Sequence, residues 1–206
     1  MSIPKTNSLE TYLMCMGSKI PPSFACLLHD LERPKLEGVR WVENENLFVG
    51  FQNFYKKKMG LDLRTLAPNL RENIYHEFFP LLIKAREVEL TPNSTNPKAL
   101  KIKFSIASLR QTTDSLYPQV KLFSESIREL LKTTSAVYQS FECDLQITLA
   151  HIGPKALNNP NFKTEIERVQ LEGAIKEPFY LDKLFVVEVN KTDSGLKYTY
   201  KPLLEV

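Results

Sequence analysis

Two short runs constrain this chain more than anything else in it: residues 141–153, FECDLQITLAHIG, and an earlier relative at residues 39–54, VRWVENENLFVGFQNF. Side chains along an extended backbone alternate between two faces, so Gln146 and Thr148 share one face while Ile147 and Leu149 share the other. The same parity puts Phe48 and Gly50 together. Both runs read as strands, and any fold for the chain has to give each a buried face and a face that does something else.

The chain has 206 residues, 43% of them hydrophobic, enough for a sizeable core in one domain spanning residues 1–206. Its 27 basic residues are nearly cancelled by 24 acidic ones, leaving a net charge of +3. That permits a nucleic-acid partner without demanding one. Cys15, Cys26 and Cys143 are odd in number, widely spaced and set among apolar neighbours. This pattern fits reduced core thiols in a cytoplasmic protein better than a disulfide framework. No apolar stretch is long enough for a membrane span, and the polar TNSLET start does not resemble a signal peptide.

Taken in order, residues 9–16 read as a strand, and Pro21-Pro22 as a stiff turn that starts a helix with Phe24, Leu27, Leu28 and Leu31 at helical spacing. After Gly38 comes the first signature run, followed by a basic loop from Tyr55 to Gly60. Leu63, Leu66, Leu70, Ile74 and Phe78 then make a helical stripe, with Pro68 expected in its first turn. Residues 79–90 and 100–109 read as strands joined by the turn-rich TPNSTNPK. In the second of them Leu100, Ile102 and Phe104 alternate with Lys101, Lys103 and Ser105, so one face is wet. Asp114 or Ser115 is placed to cap a helix carrying Val120, Phe123, Ile127, Leu130 and Leu131. A short helix holding Phe162, Ile166 and Val169 follows the second signature run. The chain ends in two strands, residues 179–189 and 196–203, around a polar hairpin loop at 191–195. The succession of strand, helix and strand-rich segment occurs once before and once after roughly Ser108, which suggests a duplicated, bilobal α+β arrangement.

These features resemble the LigT-like branch of the 2H phosphoesterases, the RNA 2',3'-cyclic phosphodiesterases once called 2'-5' RNA ligases. The resemblance rests on the lead-in Gly38-Val39-Arg40-Trp41-Val42, the two signature runs and the terminal hairpin with Tyr198, and it spans nearly the whole chain. It implies a bilobal, pseudo-duplicated fold whose antiparallel sheets line a central cleft with helices packed outside. In that family each signature strand carries His-x-Thr or His-x-Ser. The two histidines share general base and general acid duty on a cyclic phosphate while the hydroxyls hold its oxygens. Carried over, the first histidine falls on Phe48 and its hydroxyl partner on Gly50; the second histidine falls on Gln146, and Thr148 keeps its hydroxyl.

Phe48 neither titrates nor hydrogen-bonds, and Gln146 exchanges no proton near neutral pH. Loss of one general acid or base typically costs about a hundred- to ten-thousand-fold, so the resemblance implies a protein degenerate for this reaction. Its cleft is then expected to bind a nucleotide, an RNA end or another phosphorylated ligand through Gln146, Thr148, His151, Tyr55, Lys56 and Lys57. His151 sits where the family often has Arg. It is the residue that a rearranged, active site would recruit together with Thr148. A third reading makes the protein an interaction scaffold in which Phe48 fills the former cleft. His29 and His76 read as surface or boundary residues, and Trp41 as packing. No residue cluster has metal-ligand spacing, no Gly-rich phosphate loop or Gly-x-Ser-x-Gly elbow occurs, and no cofactor is implied. A monomer is expected.

Overall fold

The computed structural model describes residues 11–57, 63–107, 117–133, 145–169, 171, 173–191 and 198–206. Among them the elements run β1 (Thr11–Lys19), α1 (Pro22–His29), β2 (Val39–Trp41), β3 (Phe48–Lys57), α2 (Leu63–Leu70), α3 (His76–Phe78), β4 (Leu81–Thr91), β5 (Ala99–Ile106), α4 (Tyr117–Thr133), β6 (Gln146–Ile152), α5 (Pro154–Leu157), α6 (Phe162–Glu167), β7 (Phe179–Leu181), β8 (Phe185–Lys191) and β9 (Tyr198–Glu205). The strands pair antiparallel in one sheet of order β7-β4-β5-β6-β3-β1-β8-β9, with β2 added on β6. This is the expected α+β architecture, and its two antiparallel halves meet where β3 lies beside β6.

One face of the sheet carries the main core. Along β5, Leu100, Ile102 and Phe104 are buried there while Lys101, Lys103 and Ser105 are half-buried on the other face, as their alternation predicts. Pro22 opens α1, where its missing N–H costs nothing. The buried face of that helix presents Phe24, whose ring stacks on Phe179 at 4.2 Å and meets Phe104 edge-on at 5.9 Å. In α4 the spacing of Phe123, Ile127 and Leu130 likewise gives a buried stripe, with Phe123 edge-on to Phe51 at 5.2 Å and to Phe78 at 5.1 Å. No helix among the described residues is long and apolar enough to cross a membrane.

Four expectations are corrected. Pro68 lies in the interior of α2, and the helix continues through a five-residue π-helical turn, Arg71–Tyr75, that keeps Leu66, Leu70 and Ile74 fully buried. The duplication does not divide at Ser108: β4 and β5 precede it yet join β6, while β8 and β9 follow it yet join β1. The run 179–189 is two strands, because β7 pairs with β4 at one sheet edge and β8 with β1 near the other. Cys26 is exposed on α1, whereas Cys15 is buried. The cap at Asp114 or Ser115, residues 141–144 with Cys143, Lys58 and the loop from Thr192 lie outside the described residues.

The split between β7 and β8 sets the shape of the sheet. Six strand spacings separate them, about 29 Å if flat, yet four Cα steps from Leu181 to Phe185 reach at most about 14 Å. The sheet is therefore strongly curled. Residues 182–184 make the crossing and are tied down at each step: Tyr75 Oη donates to the Asp182 carbonyl at 3.1 Å, Ser18 Oγ to the Lys183 carbonyl at 2.6 Å, and Leu184 and Val206 exchange backbone hydrogen bonds.

Candidate functional site

At the centre of the sheet Gly50 of β3 pairs with Gln146 of β6. By alternation Phe48 lies on the same face as Gly50, and Thr148 on the same face as Gln146.

The two halves of this face have opposite chemistry. On the β3 side Phe48, Cys15, Phe185 and Val187 form a separate apolar cluster, with Phe48 only 6% exposed. Its ring lies over Gly17, where a Cβ would collide with both Phe48 Cε1 and the Val49 carbonyl oxygen. Gly50 is also confined, since a Cβ there would meet Cys15 Sγ at 3.3 Å. Lys19, opposite Phe48 in the β1–β3 ladder, places its ammonium 5.7 Å from the Phe185 ring centroid.

The β6 side is polar and basic. Lys103 lies opposite Gln146 and Lys101 opposite Thr148, and Lys103 pairs with Glu89 at 2.9 Å. Strict alternation from Gln146 would turn His151 to the other face. The ladder between β5 and β6 shifts register there, so that Leu149 is an extra residue and Leu149 and Ala150 are both buried. The bulge returns His151, half-buried, to the face of Gln146 and Thr148, opposite Ala99 on β5 and Arg40 on β2. Burial lowers the pKa of His151, and the positive charge of Lys101 lowers it further. At neutral pH the ring is uncharged, a hydrogen-bonding group and a weak base.

The structure thus sets Gln146, Thr148 and His151 on one face of β6, with Lys101 and Lys103 beside them on β5, residues the sequence marked only as the wet face of a strand. It does not bring Tyr55, Lys56 and Lys57 to them. Those residues are the end of β3, paired with Leu13, Tyr12 and Thr11, and not a loop. At about 3.3 Å per residue they stand roughly 17–23 Å along the strand from Gly50. His29 and His76 are exposed on helices. Trp41 packs at β2, donating from Nε1 to the Pro34 carbonyl at 3.2 Å beneath the Arg33 guanidinium.

No protein-family model and no curated protein matches the chain. Its similarities are to solved structures. Escherichia coli LigT complexed with 3'-AMP superposes with a TM-score of 0.60 at 13% identity, over 96% of this chain and 98% of that one. A phosphoesterase gives a TM-score of 0.59 at 12% identity, over 96% and 98%. A protein of Thermus thermophilus gives 0.55 at 15% identity, over 94% and 96%. LigT has also been crystallised with ATP, NADP+ and phosphate. Superposition over nearly the full length of both chains, together with β3 and β6 side by side at the centre, shows that this chain has the fold of LigT.

Proposed function

We propose that the protein is a phosphoesterase-fold binder of phosphorylated ligands, nucleotides or RNA ends among them, that has given up 2',3'-cyclic phosphodiester hydrolysis. One observation carries this reading. The position that would hold the first proton-transferring side chain is occupied by Phe48, packed into an apolar cluster, while the opposite half of the same face gathers Thr148, Lys101, Lys103 and His151. Proton relay on a cyclic phosphate needs one group to accept and another to donate. His151 is a single titratable ring, and Gln146 is none. Anion binding needs only donors and positive charge, and both are present. A cytoplasmic monomer is the setting this reading assumes.

The test compares turnover with binding. Purified protein is assayed against 2',3'-cyclic nucleotides and cyclic-phosphate-ended RNA, and its affinity for 3'-AMP is measured by calorimetry. The parent is expected to give no turnover above background but a saturable 3'-AMP isotherm, weakened at least fivefold by Lys101→Ala and by Thr148→Ala. A variant with Phe48→His, Gly50→Thr and Gln146→His, with Cys15→Ala added to admit the new Thr side chain, is expected to gain turnover. Parent turnover that disappears in His151→Ala would overturn the binding-protein reading in favour of a rearranged active site. Absence of both turnover and anion binding would favour the scaffold reading, in which Phe48 and its apolar neighbours have simply filled the cleft.

A further inference from the structure

Three cross-strand rows make up the polar half of the face that carries Thr148. Gln146 stands in line with Lys103 and Glu87, Thr148 with Lys101 and Glu89, and His151 with Ala99 and Thr91 on one side and Arg40 on the other. Directly opposed residues project from the same face of a sheet. With each group counted once, two lysines meet two carboxylates, and Arg40 is the charge left over. Its own row, His151, Ala99 and Thr91, holds no carboxylate.

The backbone under Arg40 is fixed. Val42 N–H donates to the Leu149 carbonyl and Gly153 N–H to the Gly38 carbonyl, both at 2.8 Å, while Trp41 Nε1 donates to the Pro34 carbonyl. The neighbouring Arg33 is engaged in the same framework: its guanidinium donates to the Leu28 carbonyl and to Asn44 Oδ1 and lies over the Trp41 ring. Arg40 differs. Its side chain is exposed and has no hydrogen-bond, ion-pair or ring partner among the described residues. A rigid strand therefore presents an unoccupied planar fork of donors, the geometry that matches a phosphate.

Lys101 and Arg40 lie on either side of β6, two residues apart along the strands and two strand spacings across them, about 12 Å between Cα atoms. Side chains stand off a sheet roughly perpendicular to it, and a phosphate oxygen has to come within about 2.7–2.9 Å of each charged donor. One phosphate does not span that gap, whereas two phosphates held one nucleoside apart do. We infer that this face selects ligands with two phosphates one nucleoside apart, the first held at Thr148 and Lys101 and the second in the fork of Arg40. The inference rests on the phosphate-binding reading above and adds the class of ligand. A free nucleoside 3',5'-bisphosphate and the 3'-phosphorylated end of an RNA strand share that chemistry.

Calorimetry on the full chain compares three ligands: 3'-AMP, adenosine 3',5'-bisphosphate and 3'-phosphorylated diadenylate. At least one two-phosphate ligand should bind about tenfold more tightly than 3'-AMP, the worth of one charge-assisted contact. A gain confined to the bisphosphate assigns a free nucleotide, a gain confined to the diadenylate an RNA end, and a gain for both the shared phosphates. Arg40→Ala should reduce the preference to about twofold or less, and Arg40→Lys, which keeps the charge and loses the fork, should retain part of it. Lys132→Ala, on the helix that packs against the opposite face, should retain all of it. Circular dichroism checks that each variant folds. Phosphorus NMR of the bisphosphate should show both phosphates shifted on binding to the parent and one on binding to Arg40→Ala. Saturable 3'-AMP binding with no gain from a second phosphate, or an Arg40→Ala variant that weakens all three ligands alike, would overturn the inference and leave the phosphate-binding reading standing. Absence of binding by all three would overturn both.

Discussion

Phe48 gives the sharpest test of how the β3 half of this face is packed. Its side chain is 6% exposed and packs on Cys15, Phe185 and Val187, with its ring in the space a side chain at Gly17 would need. Removing a buried phenylalanine to alanine costs about 3–5 kcal/mol. A cluster this small, apart from the main core, places Phe48→Ala near the lower end, about 3 kcal/mol. For a chain of 206 residues that is a fall in Tm of roughly 6–12 °C. Urea unfolding should show the midpoint moving with the slope unchanged. The double-mutant cycle with Gly17→Ala is the decisive part. Alone, Gly17→Ala drives a methyl against both the Val49 carbonyl and the Phe48 ring and should cost about 1–3 kcal/mol. In the Phe48→Ala background the ring contact is gone and the carbonyl contact remains, so the cost should fall by about 1 kcal/mol. A loss below about 1 kcal/mol for Phe48→Ala, or a strictly additive cycle, would show that the ring is not the packed plug described here.

Three further outcomes are expected. The lowered pKa of His151 makes the unfolded chain bind its proton first, so the stability this favours is present in full above about pH 6.5 and is lost as pH falls through the folded-state value. The stability of the parent relative to His151→Gln should therefore fall between pH 7 and pH 5, and NMR titration should show the imidazole pKa rising in Lys101→Ala; a flat difference, or no rise, contradicts the assigned causes. Ser18→Ala removes the donor to the Lys183 carbonyl and should cost about 1–2 kcal/mol by chemical denaturation, with faster exchange at the Leu184 amide, if the β7–β8 crossing depends on it. Pro68→Ala restores a backbone donor at an exposed position of α2 and should stabilise the protein by roughly 1–3 kcal/mol; a thermal melt with no rise would mean that the π-helical turn after it has already absorbed the cost.

Much of the fold was legible because it is local. The alternation of Leu100, Ile102 and Phe104 with two lysines fixes the faces of β5, Pro22 fixes the start of α1, and the helical spacing of Phe123, Ile127 and Leu130 fixes the buried side of α4. The parity of the two short runs was legible for the same reason, since both form strands that set Phe48 with Gly50 and Gln146 with Thr148. What the sequence hid is non-local. Nothing in the run from Phe179 to Val189 says that it crosses from one sheet edge to the other, because both parts are apolar and extended and only their partners differ. Nor does alternation place His151: strict parity turns it away from Thr148, and only the bulge against β5 turns it back. Lys101 and Lys103 are distant in sequence from the second signature strand and become part of its face through pairing alone. Residue types limit what these two positions can do, since phenylalanine and glutamine carry no titrating group wherever they sit. Tertiary pairing decided the rest, dividing the face into an apolar half and a basic half, because which side chains share a surface is set by which strands lie side by side.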